Sequence, residues 1–92
     1  MVNSVVLVGR VSLNATVVGD EAAFRLDVER SVKRAPGSKP IVDSFRVELY
    51  GAALVERTAF YLTAGRLIGV QGRVVGVDHS GLVLIEATNV RI

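Results

Sequence analysis

Apolar and polar residues alternate along several stretches of the chain, which is the pattern of β-strands that bury one face. In the second stretch, Phe24 and Leu26 point one way while Arg25 points the other way. In the third stretch, Phe45 has the parity of the apolar positions that follow it, so we expect Phe24 and Phe45 in the core. The pattern predicts strands over residues 3–13, 22–32, 41–50, 66–77 and 82–92.

One segment between the third and fourth predicted strands has the periodicity of a helix. Over residues 52–64, apolar side chains recur at helical spacing and form one stripe. Gly65 is suited to end this helix, because glycine readily adopts the left-handed conformation found after a helix. Phe60 and Tyr61 fall near the helix end, and we expect Tyr61 to pack beneath it.

Turns and glycines divide the chain. Gly19 and Asp20 predict a turn after the first strand, and residues 78–81 predict a short hairpin turn before the last one. Residues 33–40 form a clear loop that contains prolines and basic residues. Glycines interrupt the fourth strand, which indicates bulges or sharp bends. Three strands, a helix and two more strands predict an all-β, five-stranded OB barrel with the helix between strands three and four.

Composition supports a strand-rich protein. The 92 residues allow one domain, residues 1–92, and valine is abundant, with a branched side chain that suits a strand. No apolar run is long enough to span a membrane, and the N-terminus lacks the pattern of a signal peptide. We therefore expect a soluble cytoplasmic protein. Half of the residues are apolar, more than one small core easily buries, which predicts self-association.

The residue types exclude several kinds of chemistry. With no cysteine and a single histidine, His79, we expect no disulfide, no catalytic thiol or triad, no metal site and no cofactor. Asp43, Glu48 and Glu86 lie on separate predicted strands without a nucleophile, so we predict no enzymatic activity. The net charge is only +2, but the basic residues are mostly arginines, which suit planar contacts with phosphates and bases.

Short segments along nearly the whole chain form a recognisable series, at residues 3–10, 24–30, 43–51, 53–56, 61–65, 70–73 and 86–90. In order and spacing this series resembles the bacterial single-stranded DNA-binding protein (SSB) family, in a short form without the acidic C-terminal tail. The PriB-type primosomal protein is a close relative in fold. The resemblance implies an OB fold, binding of single-stranded DNA with little sequence preference, and a homo-oligomer, with a tetramer favoured over a dimer. It also implies a role in DNA replication, repair or recombination.

The resemblance indicates where DNA would bind. Tyr50 falls where the family stacks a base on an aromatic ring, whereas two other aromatic positions of the family fall at Ser44 and near Val32. Arginines and lysines would follow the phosphates, so we expect weak and strongly salt-dependent binding. The predicted binding residues are Arg10, Lys33, Arg34, Lys39, Arg46, Tyr50 and Arg73.

Other interpretations stay open from the sequence. A primosome accessory protein of the PriB type would bind single-stranded DNA and act mainly through replication or primosome proteins, although the helix favours SSB. An OB-fold assembly subunit would have a weakened DNA groove, which fits the missing aromatic residues. Base stacking does not itself distinguish RNA from DNA. Arg46 and Arg73 could instead pair with Glu48 or another carboxylate across the strands.

Overall fold

The computed structural model describes residues 3–30 and 35–92, most of which form a closed β-barrel. The strands are β1 (Val5–Val11), β2 (Thr16–Val18), β3 (Glu21–Glu29), β4 (Val42–Tyr50), β5 (Leu67–Val77) and β6 (Val83–Arg91). Helix α1 (Ala52–Thr58) and a short 3₁₀ helix (Ala59–Tyr61) connect β4 to β5. The predicted OB barrel with one helix after its third long strand is confirmed. None of the helices in these two ranges is both long enough and apolar enough to cross a membrane.

The strands follow the order β1-β5-β6-β4-β3-β2, and an additional pairing of β1 with β3 closes the barrel. Strands β4 and β6 run parallel, while the other described pairs are antiparallel. At the closure, Arg10 lies opposite Asp27 and Val11 opposite Leu26. A Cβ atom at Gly9 would overlap the Asp27 carbonyl oxygen, so glycine is what allows β1 to approach β3 here.

The barrel interior holds one apolar core, to which every long strand contributes. Phe24 is buried as predicted, and Phe45 is partly buried and packs against the same core. Leu26 and Val47 are fully buried on neighbouring strands, as the alternating pattern requires. The residues between these core positions point outward, so the polar side chains of β3 and β4 share one outer face.

The helical segment is shorter than its periodicity predicts. The prediction of one helix over residues 52–64 is wrong beyond Thr58, where a 3₁₀ turn follows, and the chain then leaves the helical path. Two hydrogen bonds from the β1–β2 connection explain this end: the Ala15 N–H donates to the Leu62 carbonyl at 2.9 Å, and the Asn14 side chain accepts from the Ala64 N–H at 2.8 Å. Hydrogen bonds to residues that are distant in sequence thus take the place of those of the next helical turn.

The turn predicted at Gly19 and Asp20 is present, and the short strand β2 before it, in which Thr16 pairs with Ala23 of β3, was not predicted. The structure corrects one further expectation. The expectation that Tyr61 packs beneath the helix is wrong, because its side chain is half exposed beside Phe60. Helical spacing placed Tyr61 near the helix, but the 3₁₀ turn rotates it toward the surface.

The glycines of β5 mark irregular pairing, as predicted. The register with β6 shifts between Gln71 and Gly72 and again between Val74 and Gly76. A Cβ atom at Gly72 would overlap the Glu86 carbonyl oxygen, so the two strands meet closely at this position. The predicted hairpin turn is also present: the Asp78 side chain accepts hydrogen bonds from the backbone N–H groups of Ser80 and Leu82, both at 2.9 Å.

Candidate nucleic-acid interface

A concave surface of about 510 Å³, the central groove, lies on the outer face of β3 and β4. On its floor, Arg25 lies directly opposite Arg46, and the small Ala23 lies opposite Glu48. The connection from β1 into β2 forms one wall, and the turn between β5 and β6 forms the other. The wall residues include Leu13, Asn14, Thr16 and Val18 on one side and Asp78, His79, Ser80 and Leu82 on the other.

The two arginines on the floor each have a carboxylate neighbour on their own strand. The Arg46 Nε atom lies 3.7 Å from a carboxylate oxygen of Glu48, and the Arg25 Nε atom lies 3.5 Å from Asp27. Arg25 also donates a hydrogen bond to the Ser12 hydroxyl at 2.8 Å. These pairs are long and partly exposed, so each contributes ~1 kcal/mol or less to stability and can be displaced by a phosphate.

Tyr50 lies next to the groove on the same face of β4. Its hydroxyl donates a hydrogen bond to the Glu48 carboxylate, and its side chain is 46% exposed. This hydrogen bond, with smaller effects of burial and of the charges on Glu48, Glu21 and Glu86, raises the pKa of Tyr50 to about 12. The hydroxyl is therefore neutral at ordinary pH and the ring is tethered by its edge, which leaves a ring face available for stacking.

Arg73 reaches the same surface from β5. Its Nη2 atom lies 3.4 Å from Glu86 of β6, and Glu86 is the register partner of Glu48 across the parallel β4–β6 pair. Arg46, Tyr50 and Arg73 thus belong to one continuous outer face that crosses three strands. The structure brings these three predicted residues together, and each of them contacts a carboxylate.

Arg10 lies on a different part of the surface. It lines a second concavity of about 400 Å³ near the closure of β1 and β3, together with Val8 and Leu67. Its Nη1 atom donates a hydrogen bond to the Gly65 carbonyl at 2.9 Å. The alternation of β1 turns Arg10 outward, where it lies opposite Asp27 of β3. Asp27 lines the second concavity and pairs with Arg25 of the central groove, so the two concavities adjoin along β3.

The predicted residues of the long loop are placed only in part. Lys39 is exposed in the connection between β3 and β4 and lines neither concavity. Lys33 and Arg34 lie outside the described residues. A role of these three residues in binding stays a prediction.

Arg25 lies on the floor of the central groove but was not among the DNA-binding residues predicted from the sequence. Alternation with Phe24 and Leu26 already placed it on the outer face of the second strand. Alternation does not predict the register between two strands. It is this register that places Arg25 beside Arg46.

Asp43, which alternation places on the opposite side of β4 from Arg46 and Glu48, has a partner of its own. Asp43 accepts two hydrogen bonds from the Arg30 guanidinium, at 2.8 and 2.9 Å, where β3 ends and β4 begins. The Arg30 hydrogen bond holds the pKa of Asp43 below its usual value. Across residues 3–30 and 35–92, no three acidic or histidine side chains are arranged to hold a metal ion.

Comparison with known proteins identifies the family. The chain matches the single-strand binding protein family, SSB, over residues 2–77. No curated protein sequence matches it. The family match includes β1 to β5, and therefore the groove floor, Tyr50 and the helical segment.

Two solved structures share the fold. The small single-stranded DNA-binding protein from Streptomyces coelicolor matches with a TM-score of 0.76 at 24% identity, over 98% of this chain and 92% of that chain. The SSB of Plasmodium falciparum, in a complex with single-stranded DNA, matches with a TM-score of 0.76 at 21% identity, over 99% and 94% of the two chains. At these identities the likeness establishes the barrel. Because the family match spans most of the residues, the chain belongs to the single-strand binding protein family.

Proposed function

We propose that this protein binds single-stranded DNA with little sequence preference and catalyses no reaction. Its task would be to cover unpaired strands in the cytoplasm, at the nucleoid, during replication, repair or recombination. The observation that carries the proposal is the central groove itself. Arg25 and Arg46 lie side by side on its floor, and the exposed ring of Tyr50 lies at its end. Membership of the single-strand binding protein family supports the same function.

The chemistry of this groove suits a flexible, unpaired strand. Guanidinium groups attract phosphates whatever the base, and an aromatic ring stacks on any base, because every base has a π-face. Arg46 supplies the first kind of contact and Tyr50 the second. Neither contact reads the hydrogen-bonding edge of a base, so sequence preference is weak.

Affinity in the groove is limited by the acidic neighbours. A phosphate that binds Arg46 has to displace Glu48, and one that binds Arg73 has to displace Glu86. Each exchange gives little net free energy in water. Useful affinity therefore depends on several weak contacts made at once, and it falls as salt concentration rises.

We propose further that the protein is a homo-oligomer, with a tetramer favoured and a dimer as the alternative. The support is an apolar strip on the outer face of β1 and at the start of β5. Val6 is 71% exposed, Val8 60% and Leu67 54%. Contiguous exposed apolar side chains of this kind favour burial between subunits. Subunits joined in this way would add their weak DNA contacts, because a tethered second site acts at a high effective concentration.

The proposed function is tested with fluorescently labelled dT oligomers. We expect the wild-type protein to bind at low salt and to lose affinity steadily as salt is raised. Tyr50→Ala removes the stacking ring and should cost ~1–3 kcal/mol. Arg46→Ala should weaken binding and reduce the slope of log affinity against log salt by about 0.7, the value for one phosphate contact on a single strand. Val77→Ala, another exposed residue, serves as the control and should bind like the wild type.

One observation favours a second candidate, an OB-fold assembly subunit with a weakened groove. Arg25, Arg46 and Arg73 are all paired with carboxylates, which reduces the positive charge available to DNA. The same titration decides between the two functions. If the wild-type protein fails to bind dT oligomers at low salt, the assembly role replaces DNA binding. An affinity that does not change with salt would contradict the electrostatic part of the proposal.

A further inference from the structure

An aromatic pair lies exposed on the barrel surface, outside the central groove. Phe60 is 85% exposed, more than any other large apolar side chain in the described part of the chain, and Tyr61 is 43% exposed. The two rings meet edge to face, with their centroids 5.6 Å apart. Water-exposed aromatic rings are unfavourable for a protein that keeps them free, so this arrangement calls for a ligand.

An arginine lies against the aromatic pair. The Arg66 guanidinium carbon lies 5.3 Å from the centroid of the Tyr61 ring, which is a cation–π distance. The ion pairs found among residues 3–30 and 35–92 do not include Arg66, in contrast to Arg25, Arg46 and Arg73.

The aromatic pair lies just behind one wall of the central groove. Asn14 belongs to that wall, and its side-chain oxygen accepts a hydrogen bond from the Ala64 N–H at 2.8 Å. The neighbouring Ala15 N–H bonds to the Leu62 carbonyl. The segment that directly follows the aromatic pair is thus hydrogen-bonded to this wall.

We propose that Phe60, Tyr61 and Arg66 form a second base-stacking site, the aromatic platform, for single-stranded nucleic acid that extends beyond the groove. The proposal rests on the proposed function of the groove. A base stacks on the Phe60 ring, while Arg66 neutralises a flanking phosphate.

The chemistry of the platform favours a nucleic acid over a protein partner. Stacking on an aromatic ring beside unpaired guanidinium groups is the usual combination of contacts to single strands. A protein partner would instead have to supply a carboxylate for Arg66 and an apolar pocket for one exposed ring. The platform also provides a positive charge that is not paired with a carboxylate in the described part of the chain. The groove lacks such a charge, because its arginines are neutralised by acidic neighbours.

Substitutions at Phe60 test the proposal, because this side chain is too exposed to matter for folding. Labelled dT oligomers of about five nucleotides, near the smallest site of an OB fold, and of about fifteen nucleotides are compared. We expect Phe60→Ala to bind the longer oligomer about fivefold more weakly and the shorter one with unchanged affinity. Phe60→Leu keeps the apolar bulk but lacks a π-face, so it should behave like Phe60→Ala.

A tryptophan at the same position gives a direct readout. The chain contains no tryptophan. Phe60→Trp therefore introduces a single fluorophore, keeps the stacking surface and should retain the affinity of the wild type. We expect its emission to be quenched when the longer dT oligomer binds, since base stacking quenches indole fluorescence.

The outcomes separate this proposal from the function on which it rests. If the wild type does not bind either oligomer, the proposed function fails. If the wild type binds but Phe60→Ala and Phe60→Leu bind equally well, or if Phe60→Trp is not quenched, the aromatic platform is excluded while the groove remains. A lower molecular mass of Phe60→Ala in light scattering, with unchanged DNA binding, would show a subunit contact and overturn the proposal.

Discussion

At the scale of single residues, the Glu48 carboxylate holds the side chains of the groove in place. It accepts the hydrogen bond of Tyr50 and pairs with Arg46, so one carboxylate holds two predicted DNA contacts. Alternation along the sequence correctly put Arg46, Glu48 and Tyr50 on one face. It could not predict which carboxylate each group would contact, because side-chain pairing depends on distances of a few ångströms and on the register of the neighbouring strands.

Replacing Glu48 by glutamine should strengthen DNA binding. Glu48→Gln keeps an oxygen that accepts the Tyr50 hydrogen bond but removes the negative charge beside Arg46. We expect binding two- to threefold tighter, corresponding to ~0.5 kcal/mol for an exposed charge pair. The slope of log affinity against log salt should change by less than the ~0.7 of one phosphate contact, since Arg46 already contacts a phosphate in the wild type. The pKa of Tyr50 should fall from about 12 toward its ordinary value, which a phenolate absorbance titration measures.

The matched control is Glu56→Gln, which makes the same charge change on the exposed surface of α1. Its affinity for dT oligomers should stay close to that of the wild type, because surface charges are screened over about 8–10 Å at moderate salt. Equal affinities of Glu48→Gln and Glu56→Gln would contradict a restraining role of Glu48.

At the scale of elements, the glycines of β5 and the end of the helix show what local sequence can and cannot predict. The sequence predicts irregular pairing in β5, and the shifts at Gly72 and Gly76 confirm it. The early end of the helix at Thr58 was not predictable, because it follows from hydrogen bonds donated or accepted by Asn14 and Ala15, far away in the chain. Local periodicity does not contain such tertiary partners.

Two alanine substitutions on β5 test the close approach at Gly72. Gly72→Ala should destabilise the protein by ~1–3 kcal/mol, because its Cβ atom would overlap the backbone of β6 at Glu86. Gly69→Ala places a Cβ atom 3.8 Å from the Arg91 side chain and 3.9 Å from the Leu7 carbonyl, which are ordinary contacts. It should stay within ~1 kcal/mol of the wild type. Urea unfolding measures the stability of both variants. Equal unfolding midpoints of Gly72→Ala and Gly69→Ala would refute the close approach of the strands at Gly72.

At the scale of the whole molecule, the sequence predicts the architecture well and the surfaces less well. Element order and the resemblance to SSB predicted the OB barrel and the family, and both are confirmed. The position of Arg10 relative to the groove could not be predicted, because it depends on where β1 crosses from β5 to β3. Barrel closure is a property of all the strands together, so no single segment encodes it.

The apolar strip leads to a prediction about the assembly. We expect light scattering at micromolar concentration to give a multiple of the 9.8 kDa chain mass, with four chains favoured and two as the alternative. Val8→Lys places a charge in the strip and should lower the mass, since burying an unpaired ammonium between subunits is unfavourable. Val18→Lys makes the same change on β2, where the side chain is 73% exposed, and should leave the mass unchanged. A wild-type monomer would overturn the proposed oligomer.

The closure of the barrel also determines how the chain can fold. Strand β1 pairs with β5, some sixty residues away along the chain, and β6 pairs with β4 across the helical segment. The described pairs that are close in sequence, β1–β3, β2–β3, β3–β4 and β5–β6, can form early. Folding with so many distant pairings is slow compared with that of helical domains of similar size. Because β6 joins β5 to β4, the barrel stays open during synthesis on the ribosome until β6 emerges. Until then the apolar side chains of the earlier strands are exposed, and such surfaces are prone to aggregate.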